Sequence, residues 1–222
     1  MRIFPLGESA LTVEFGNEIS LEMNERSIAL VKHLSADPFT GFVEAVPAYS
    51  SVTIFYDLID VRKALPDGAC AYNTIEKIIR KVVNETSKGS SIESRTIEIP
   101  VMFDDSCSLD IASICEFSSL EPLQVVDLFL SATYRVYMLG FLPGFAYMGE
   151  VDERIAAPRL KTPRTKVPKG SVGIAGKQTG IYPLESPGGW NIVGRTEVPL
   201  FAPHANEPCL LRPGDEVRFV RV

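Results

Sequence analysis

Histidine is scarce in this sequence: His33 and His204 are the only two among 222 residues. A histidine-rich metal cage is therefore excluded by number, and a catalytic imidazole would have to be one of these two. The sequence also lacks any Cys-x-x-Cys pair, since its four cysteines are Cys70, Cys107, Cys115 and Cys209. This spacing favours reduced, packed thiols over a disulfide framework or a zinc site.

A basic surplus and a long apolar run are missing as well. The formal net charge is −6, which argues against general nucleic-acid binding because a phosphate backbone needs a basic footprint. No segment approaches the roughly 20 consecutive apolar residues that cross a bilayer, and residues 1–16 lack the basic and apolar order of a signal peptide. We expect a cytoplasmic protein that binds neither nucleic acid nor membrane.

The N-terminal part alternates strand-like and helical patterns. Apolar residues recur at helical spacing in 21–34 and, most clearly, in 75–83. Strand-like runs cover residues 10–15, 42–46, 52–56 and 97–101, and a polar break at 87–94 precedes the last of them. The order β-α-β-β-α-β is the signature of a ferredoxin-like split βαβ sandwich.

Residues 109–130 have the spacing of two helices around a short turn, which is also the outline of a helix-turn-helix DNA reader. The stretch contains no Lys or Arg. Because nothing in it could contact phosphates, we interpret it as a structural helical hairpin that links two domains.

Beyond Tyr134 the chain is rich in turn-forming residues. Ten of the sixteen glycines lie between Gly140 and Gly194, so long helices are improbable there. Short β-runs separated by turns predict a closed, irregular β-barrel. The expected organisation is an α+β domain over 1–103, a helical linker hairpin over 104–133 and an all-β barrel over 134–222.

Positive charge is concentrated in one segment of this half. Residues 154–184 contain seven Lys and Arg residues and no acid, with prolines spaced among them. Proline stiffens the chain, and a stiff cationic arm suits a carboxylate, a phosphate or an acidic partner surface. A solvated basic loop is the alternative interpretation.

The stretch LGFLPGFAYMG, Leu139–Gly149, sets four Gly or Pro residues among large apolar ones. It either folds back over its own core or forms the wall of a site. Gly140 and Gly144 allow turns, so Phe141 and Phe145 can form an apolar lip for a ligand or for a partner protein.

Three motifs together carry a family resemblance: YRVYMLGFLPGFAYMG, APRLKTPRTKVPKGSVGIAGKQTGIYPLESPGGWNIVGRT and LLRPGDEVRF. They resemble the family of allophanate hydrolase subunit 1, which includes the sporulation kinase inhibitor KipI and the B subunit of the bacterial ATP-dependent 5-oxoprolinase. The N-terminal PLGESALTVEFG and VEAVPAYSSVTIFYD match as well, so the similarity covers nearly the whole chain.

The resemblance implies a smaller α+β domain followed by a cyclophilin-like β-barrel. The activity it favours is that of the B subunit in a 5-oxoprolinase complex, which converts 5-oxoproline to L-glutamate with ATP. The implied partners are a second barrel protein of the C type and a lactam-utilisation protein of the A type. Two other functions stay open: inhibition of a sensor histidine kinase, as by KipI, and the carboxyltransferase half of a urea carboxylase or allophanate-type system.

Arg159, Arg164 and Lys169 stand where the family motifs place their cations, next to a glycine-rich segment that carries several polar side chains. The candidate substrate-binding residues are Phe141, Phe145, Arg159, Arg164, Lys169, Gln178, Thr179, Tyr182, Trp190 and Arg195. No catalytic residue is assigned, and no metal ligand is expected.

The sequence departs from the family pattern at a few positions. Leu130 and Ser131 stand where a His-Ser pair is usual, and Ala202 and Ala205 stand where an Asp and an Arg are usual. If the usual residues are catalytic, this member is impaired or specialised. If they are salt-bridge partners, only structure is affected.

Overall fold

The computed structural model describes residues 1–86 and 94–222. Except for Ser94, the predicted polar break lies outside the described residues. The chain divides into two compact units, Met1–Glu93 and Ser94–Val222.

The first unit is built on a four-stranded antiparallel sheet with the order β1-β2-β4-β3. Its strands are β1 (Arg2–Pro5), β2 (Ala10–Glu14), β3 (Phe42–Pro47) and β4 (Ser51–Tyr56). Its helices are α1 (Leu21–Ala36), α2 (Leu58–Lys63) and α3 (Ala71–Thr86). The long helices and the last three strands confirm the sequence prediction, whereas β1 and α2 were not predicted.

The spacing of the buried residues explains why these segments form a strand and a helix. In β4 the buried residues alternate, with Val52, Ile54 and Tyr56 facing the core. In α3, Ile75 and Ile79 lie one turn apart on the same buried face. Both sets belong to one apolar cluster, which is the core of this unit.

The second unit contains a seven-stranded sheet with the order β12-β9-β10-β7-β6-β13-β5, and a two-stranded ribbon, β11-β8. The strands are β5 (Thr96–Val101), β6 (Thr133–Leu139), β7 (Ala146–Gly149), β8 (Arg164–Val167), β9 (Ser171–Ala175), β10 (Gln178–Ile181), β11 (Ser186–Gly188), β12 (Asn191–Arg195) and β13 (Glu216–Arg221). The helices are α4 (Ile111–Ser118), α5 (Pro122–Ser131) and a 3₁₀ turn, Glu153–Ile155.

This large sheet is nearly closed into a barrel. Its two outer strands meet just beyond β5, where Met102 and Arg195 exchange two backbone hydrogen bonds of 2.8 and 3.0 Å. Strands β9 and β12 carry buried residues along almost their whole length. The chain is therefore a mixed α/β protein. Its barrel-like sheet agrees with the barrel predicted from the glycine-rich second half, although α4, α5 and the earlier strand β5 belong to the same unit.

One strand was predicted in the wrong sheet. The segment that became β5 was expected to complete the N-terminal β-α-β-β-α-β order, but it pairs in parallel with β13, from Thr96↔Glu216 to Val101↔Arg221. In the first unit, β1 lies beside β2 at the edge of the sheet. The ferredoxin-like prediction is therefore wrong in its last strand, because an alternating apolar pattern does not specify its partner.

The predicted helical hairpin is confirmed as α4 and α5. Pro122 occupies the first turn of α5, where its missing N–H costs no hydrogen bond, and the Glu121 backbone N–H donates to Gln124 Oε1 at 3.0 Å. Ile114, Val125 and Phe129 are fully buried in the core of the second unit. The hairpin is thus part of this unit's core. No helix in the described parts of the chain is both long and apolar enough to cross a membrane.

Candidate functional site

The second unit contains an open cavity of about 270 Å³ with mainly aromatic walls. This volume lies just below the ~300–1,000 Å³ that is usual for small-molecule sites. The lining residues are Phe141, Phe145, Tyr147, Arg159, Leu160, Pro163, Tyr182, Pro187, Gly188, Gly189 and Trp190. All of them belong to the glycine- and proline-rich half of the sequence.

The turn between β6 and β7 supplies the outer wall. Phe141 is 61% exposed, and its φ of +69° is uncommon for a bulky residue. Gly140 N–H donates to Phe145 O at 3.1 Å, and Gly144 uses its positive φ of +82° to pass close to the Leu200 carbonyl. Residues held in sparsely populated backbone regions are concentrated at binding sites, so this geometry supports a role for Phe141 at the rim.

Phe145 is the centre of the aromatic wall and is only 1% exposed. Its ring centroid lies 4.9 Å from that of Tyr147, 5.2 Å from Tyr182, 5.4 Å from Trp190 and 5.7 Å from Phe141. Three of these contacts are edge-to-face, which is a favourable arrangement for aromatic rings. The packing fixes the shape of the cavity before any ligand enters it.

Arg159 is the one cation among the lining residues. Its Cζ lies 5.8 Å from the centroid of the Trp190 ring, which is within the range of a cation–π contact. Among the residues that the structure describes, no carboxylate pairs with Arg159. The guanidinium is therefore available to an anion at the mouth of the cavity.

Tyr182 contributes a buried hydroxyl. The Tyr182 side chain is 1% exposed and lines the cavity. Burial raises the pKa of Tyr182 above its usual value, although the nearby Trp190 backbone N–H and the charge of Arg159 oppose the shift. The phenol therefore remains protonated at neutral pH, and its O–H can donate to a ligand.

Gly188 makes room for Tyr182. A Cβ at this position would overlap the Tyr182 hydroxyl and approach its ring to 2.9 Å. Any side chain at position 188 would therefore displace the phenol from its place in the wall.

The structure brings together half of the predicted binding residues. Those that line the cavity are Phe141, Phe145, Arg159, Tyr182 and Trp190. Those that do not line it are Arg164, Lys169, Gln178, Thr179 and Arg195. Thr179 Oγ1 donates to Gly173 O at 3.0 Å inside the barrel wall, and Arg195 Nη2 contacts Glu197 Oε1 at 2.9 Å.

Arg164 forms an ion pair with the buried Asp110 and does not line the cavity. Its Nη1 donates to Asp110 Oδ2 at 2.8 Å and its Nη2 to Asp110 Oδ1. Asp110 is 4% exposed, and its Oδ2 also accepts from the Ile192 backbone N–H at 2.7 Å. This bidentate pair ties the start of α4 to β8 and β12, so the side chain that the sequence suggested for a ligand holds a buried carboxylate.

The cationic arm is only partly available to an anion. Four of its seven cations pair with carboxylates: Arg154 with Asp152, Arg164 with Asp110, Lys166 with Glu185, and Lys177 with Glu153. The other three are Arg159, Lys161 and Lys169, for which no carboxylate partner lies within the described ranges. Only Arg159 of these three lines the cavity.

The set of predicted site residues omitted six that line the cavity: Tyr147, Leu160, Pro163, Pro187, Gly188 and Gly189. Tyr147 belongs to the Leu139–Gly149 stretch, close to Phe145, and this position could have identified it as a binding residue. The glycines and prolines carry no chemical signal of their own, so sequence reasoning had no reason to choose them.

The positions that depart from the family pattern lie outside the cavity lining. Leu130 packs against the core of the second unit, and Ala202 and Ala205 lie in an exposed turn in which Ala205 N–H donates to Ala202 O at 3.0 Å.

Comparisons with known proteins place the whole chain in one family. A family model for the carboxyltransferase domain, subdomain C and D, matches residues 1–211. The 5-oxoprolinase B subunit of Bacillus subtilis (strain 168) is 41% identical over 222 residues, covering 100% of this chain and 92% of that protein. The chain belongs to the family of 5-oxoprolinase B subunits. The B subunit of Escherichia coli O157:H7 is also 41% identical, over 99% of this chain and 95% of that protein, and that of Haemophilus influenzae is 34% identical over 99% and 97%.

Several solved structures also match the chain. The crystal structure of TTHA0988 matches with a TM-score of 0.81 and 36% identity over 96% of this chain, which spans only 40% of that longer chain. The structure of PH0987 from Pyrococcus horikoshii matches with a TM-score of 0.56 and 43% identity over 100% of this chain and 97% of that one. Urea carboxylase of Kluyveromyces lactis shares the fold, with a TM-score of 0.77 at 23% identity over 99% of this chain and 21% of that one.

Proposed function

We propose that this chain is the B subunit of an ATP-dependent 5-oxoprolinase, an enzyme complex that opens the lactam of 5-oxoproline to L-glutamate. One observation carries the proposal: curated 5-oxoprolinase B subunits align over at least 99% of this chain at 34 to 41% identity. Urea amidolyase relatives are 27 to 28% identical, and the chain spans only 13% of their length. The urea-type alternative is therefore the weaker one.

The reaction explains the need for ATP. Opening the lactam breaks its C–N bond, adds hydroxide from water to the carbonyl carbon and leaves the nitrogen as the amino group of glutamate. An unstrained amide resists this attack, so the carbonyl needs activation, for example by transfer of the γ-phosphoryl group to the lactam oxygen. In total one ATP and two waters are consumed, giving glutamate, ADP and phosphate.

The cavity of this chain suits recognition of the substrate. Its lining provides apolar ring surfaces, two phenolic hydroxyls and one guanidinium. These groups can bind and orient a small molecule with an anionic end. The lining includes no carboxylate, imidazole or thiol to act as base or nucleophile, so we assign ATP binding and the chemical step to the assembled complex.

The relatives are named as one subunit of a larger enzyme, which supports a multi-subunit complex. A second barrel protein of the C type and a lactam-utilisation protein of the A type would complete the complex, and we further propose that both barrels are cyclophilin-like. In the urea amidolyase relatives a similar domain is part of a much longer chain. This is consistent with a domain of this type that functions together with neighbouring domains.

We expect the chain alone not to form glutamate from 5-oxoproline and ATP, because its cavity supplies binding groups only. With the two partner proteins from the same source, ATP-dependent glutamate formation should appear, and it should disappear when this chain is omitted. Glutamate and ADP would be measured together in each mixture. Full activity of the partner pair without this chain would contradict the proposed function, as would turnover by the chain alone.

A further inference from the structure

The cavity around Trp190 combines three features that match one class of ligand. The first is the aromatic wall, in which the ring centroids of Phe145 and Trp190 lie 5.4 Å apart. Both side chains are almost completely buried, at 1% and 5% exposure. Their burial holds both rings in place, so the wall keeps its shape when a flat apolar ring lies against its accessible part.

The second feature is the cation at the mouth. Arg159 contacts the Trp190 ring, and within the described residues it has no carboxylate of its own. Arginine presents a planar fork of donors that matches a carboxylate in a bidentate arrangement. Lys161 and Lys169 belong to the same arm but do not line the cavity, so Arg159 is the residue that an anion inside it would contact.

The third feature is a directed donor. The phenol of Tyr182 carries one O–H, which can donate a single hydrogen bond. Because Tyr182 lines the cavity, a carbonyl oxygen inside it is a suitable acceptor. Gly188 keeps the space that this phenol occupies.

We propose that this cavity binds a small cyclic carboxylic acid, with the ring against Phe145 and Trp190, the carboxylate on Arg159 and a ring carbonyl accepting from Tyr182. The class of ligand follows from the cavity alone. Its identification as 5-oxoproline, whose five-membered lactam carries both a carboxylate and a ring carbonyl, rests on the proposed function.

The chain supplies its own reporter, because Trp190 is its only tryptophan. The full chain would be titrated with 5-oxoproline and with 2-pyrrolidinone, which is the same lactam without the carboxylate. Binding would be followed by Trp190 fluorescence and, in parallel, by titration calorimetry. We expect saturable binding of 5-oxoproline, with 2-pyrrolidinone weaker by about tenfold, the usual size of one charge-assisted contact.

The variant Arg159→Gln should weaken 5-oxoproline binding by about tenfold and leave 2-pyrrolidinone binding unchanged. Lys161→Gln is the matched control, an exposed cation of the same arm, and should bind both ligands like the parent chain. Gly188→Ala should weaken both ligands, because it displaces Tyr182. Circular dichroism of each variant would verify that the fold is retained.

Two results would overturn this inference: no binding of either ligand by both methods, or equal losses for the two lactams in Arg159→Gln. Different results would contradict the proposed function and the cavity assignment. If the assembled complex is inactive on 5-oxoproline while L-proline or another cyclic acid binds in an Arg159-dependent way, the cavity is assigned correctly and the reaction is not. If the complex is active but binding is independent of Arg159, the cavity assignment is wrong.

Discussion

Replacing Arg164 with alanine is expected to lower the free energy of unfolding by about 3 kcal/mol. This is the usual cost of removing one partner of a buried ion pair, because the other charge stays buried without it. The Asp110 carboxylate would stay buried, with the Ile192 backbone N–H as its remaining hydrogen-bond donor in the described structure. The Arg164 side chain is 30% exposed, so water can partly replace it and the effect should not exceed this value.

The measurement is urea unfolding of the full chain, followed by circular dichroism. Lys161→Ala is the control, because Lys161 is exposed and should change stability by less than about 0.5 kcal/mol. A double variant, Arg164→Ala with Asp110→Asn, should recover part of the loss, since it removes the unpaired charge. Equal stabilities of Arg164→Ala and Lys161→Ala would show that the pair is not structural.

Replacing Phe145 with alanine is expected to cost about 3–5 kcal/mol of stability, as for other fully buried phenylalanines. Phe145 touches four aromatic rings, and the void left by its side chain would open the aromatic wall of the cavity. The remaining rings would lose their fixed positions, so ligand binding should fall together with stability.

Phe141→Ala separates these two effects. Because Phe141 is 61% exposed, its loss should change stability by less than about 1 kcal/mol while removing one wall of the cavity. Thermal unfolding and ligand titration of both variants would be compared. If Phe145→Ala unfolds at the same temperature as the parent chain, the ring cluster does not support the site.

Local patterns made much of the fold predictable. The helical repeat of Ile75, Ile79 and Val83 and the alternation in β4 depend only on neighbours a few residues away. The pairing of β5 with β13 joins segments at opposite ends of the second unit. The partner of β5 thus lies more than 100 residues further along the chain, for example Glu216 opposite Thr96, and no local window of sequence contains it.

The same distinction applies to the site. Aromatic residues among glycines and an uncompensated cationic arm were visible in the sequence, and they located Phe145, Trp190 and Arg159. The role of Arg164 was not visible, because its partner Asp110 lies 54 positions earlier in the chain. Charge spacing alone cannot distinguish a cation that holds a buried carboxylate from one that awaits a ligand.

The most direct test of the whole account is the Michaelis constant of the assembled complex for 5-oxoproline, measured with Arg159→Gln in this chain. If the cavity binds the substrate carboxylate, KM should rise about tenfold with little change in kcat, because the contact is equally strong in the ground state and the transition state. A complex with Lys161→Gln should keep the parent values. An unchanged KM in an Arg159→Gln complex that is shown intact by size-exclusion chromatography would contradict the account.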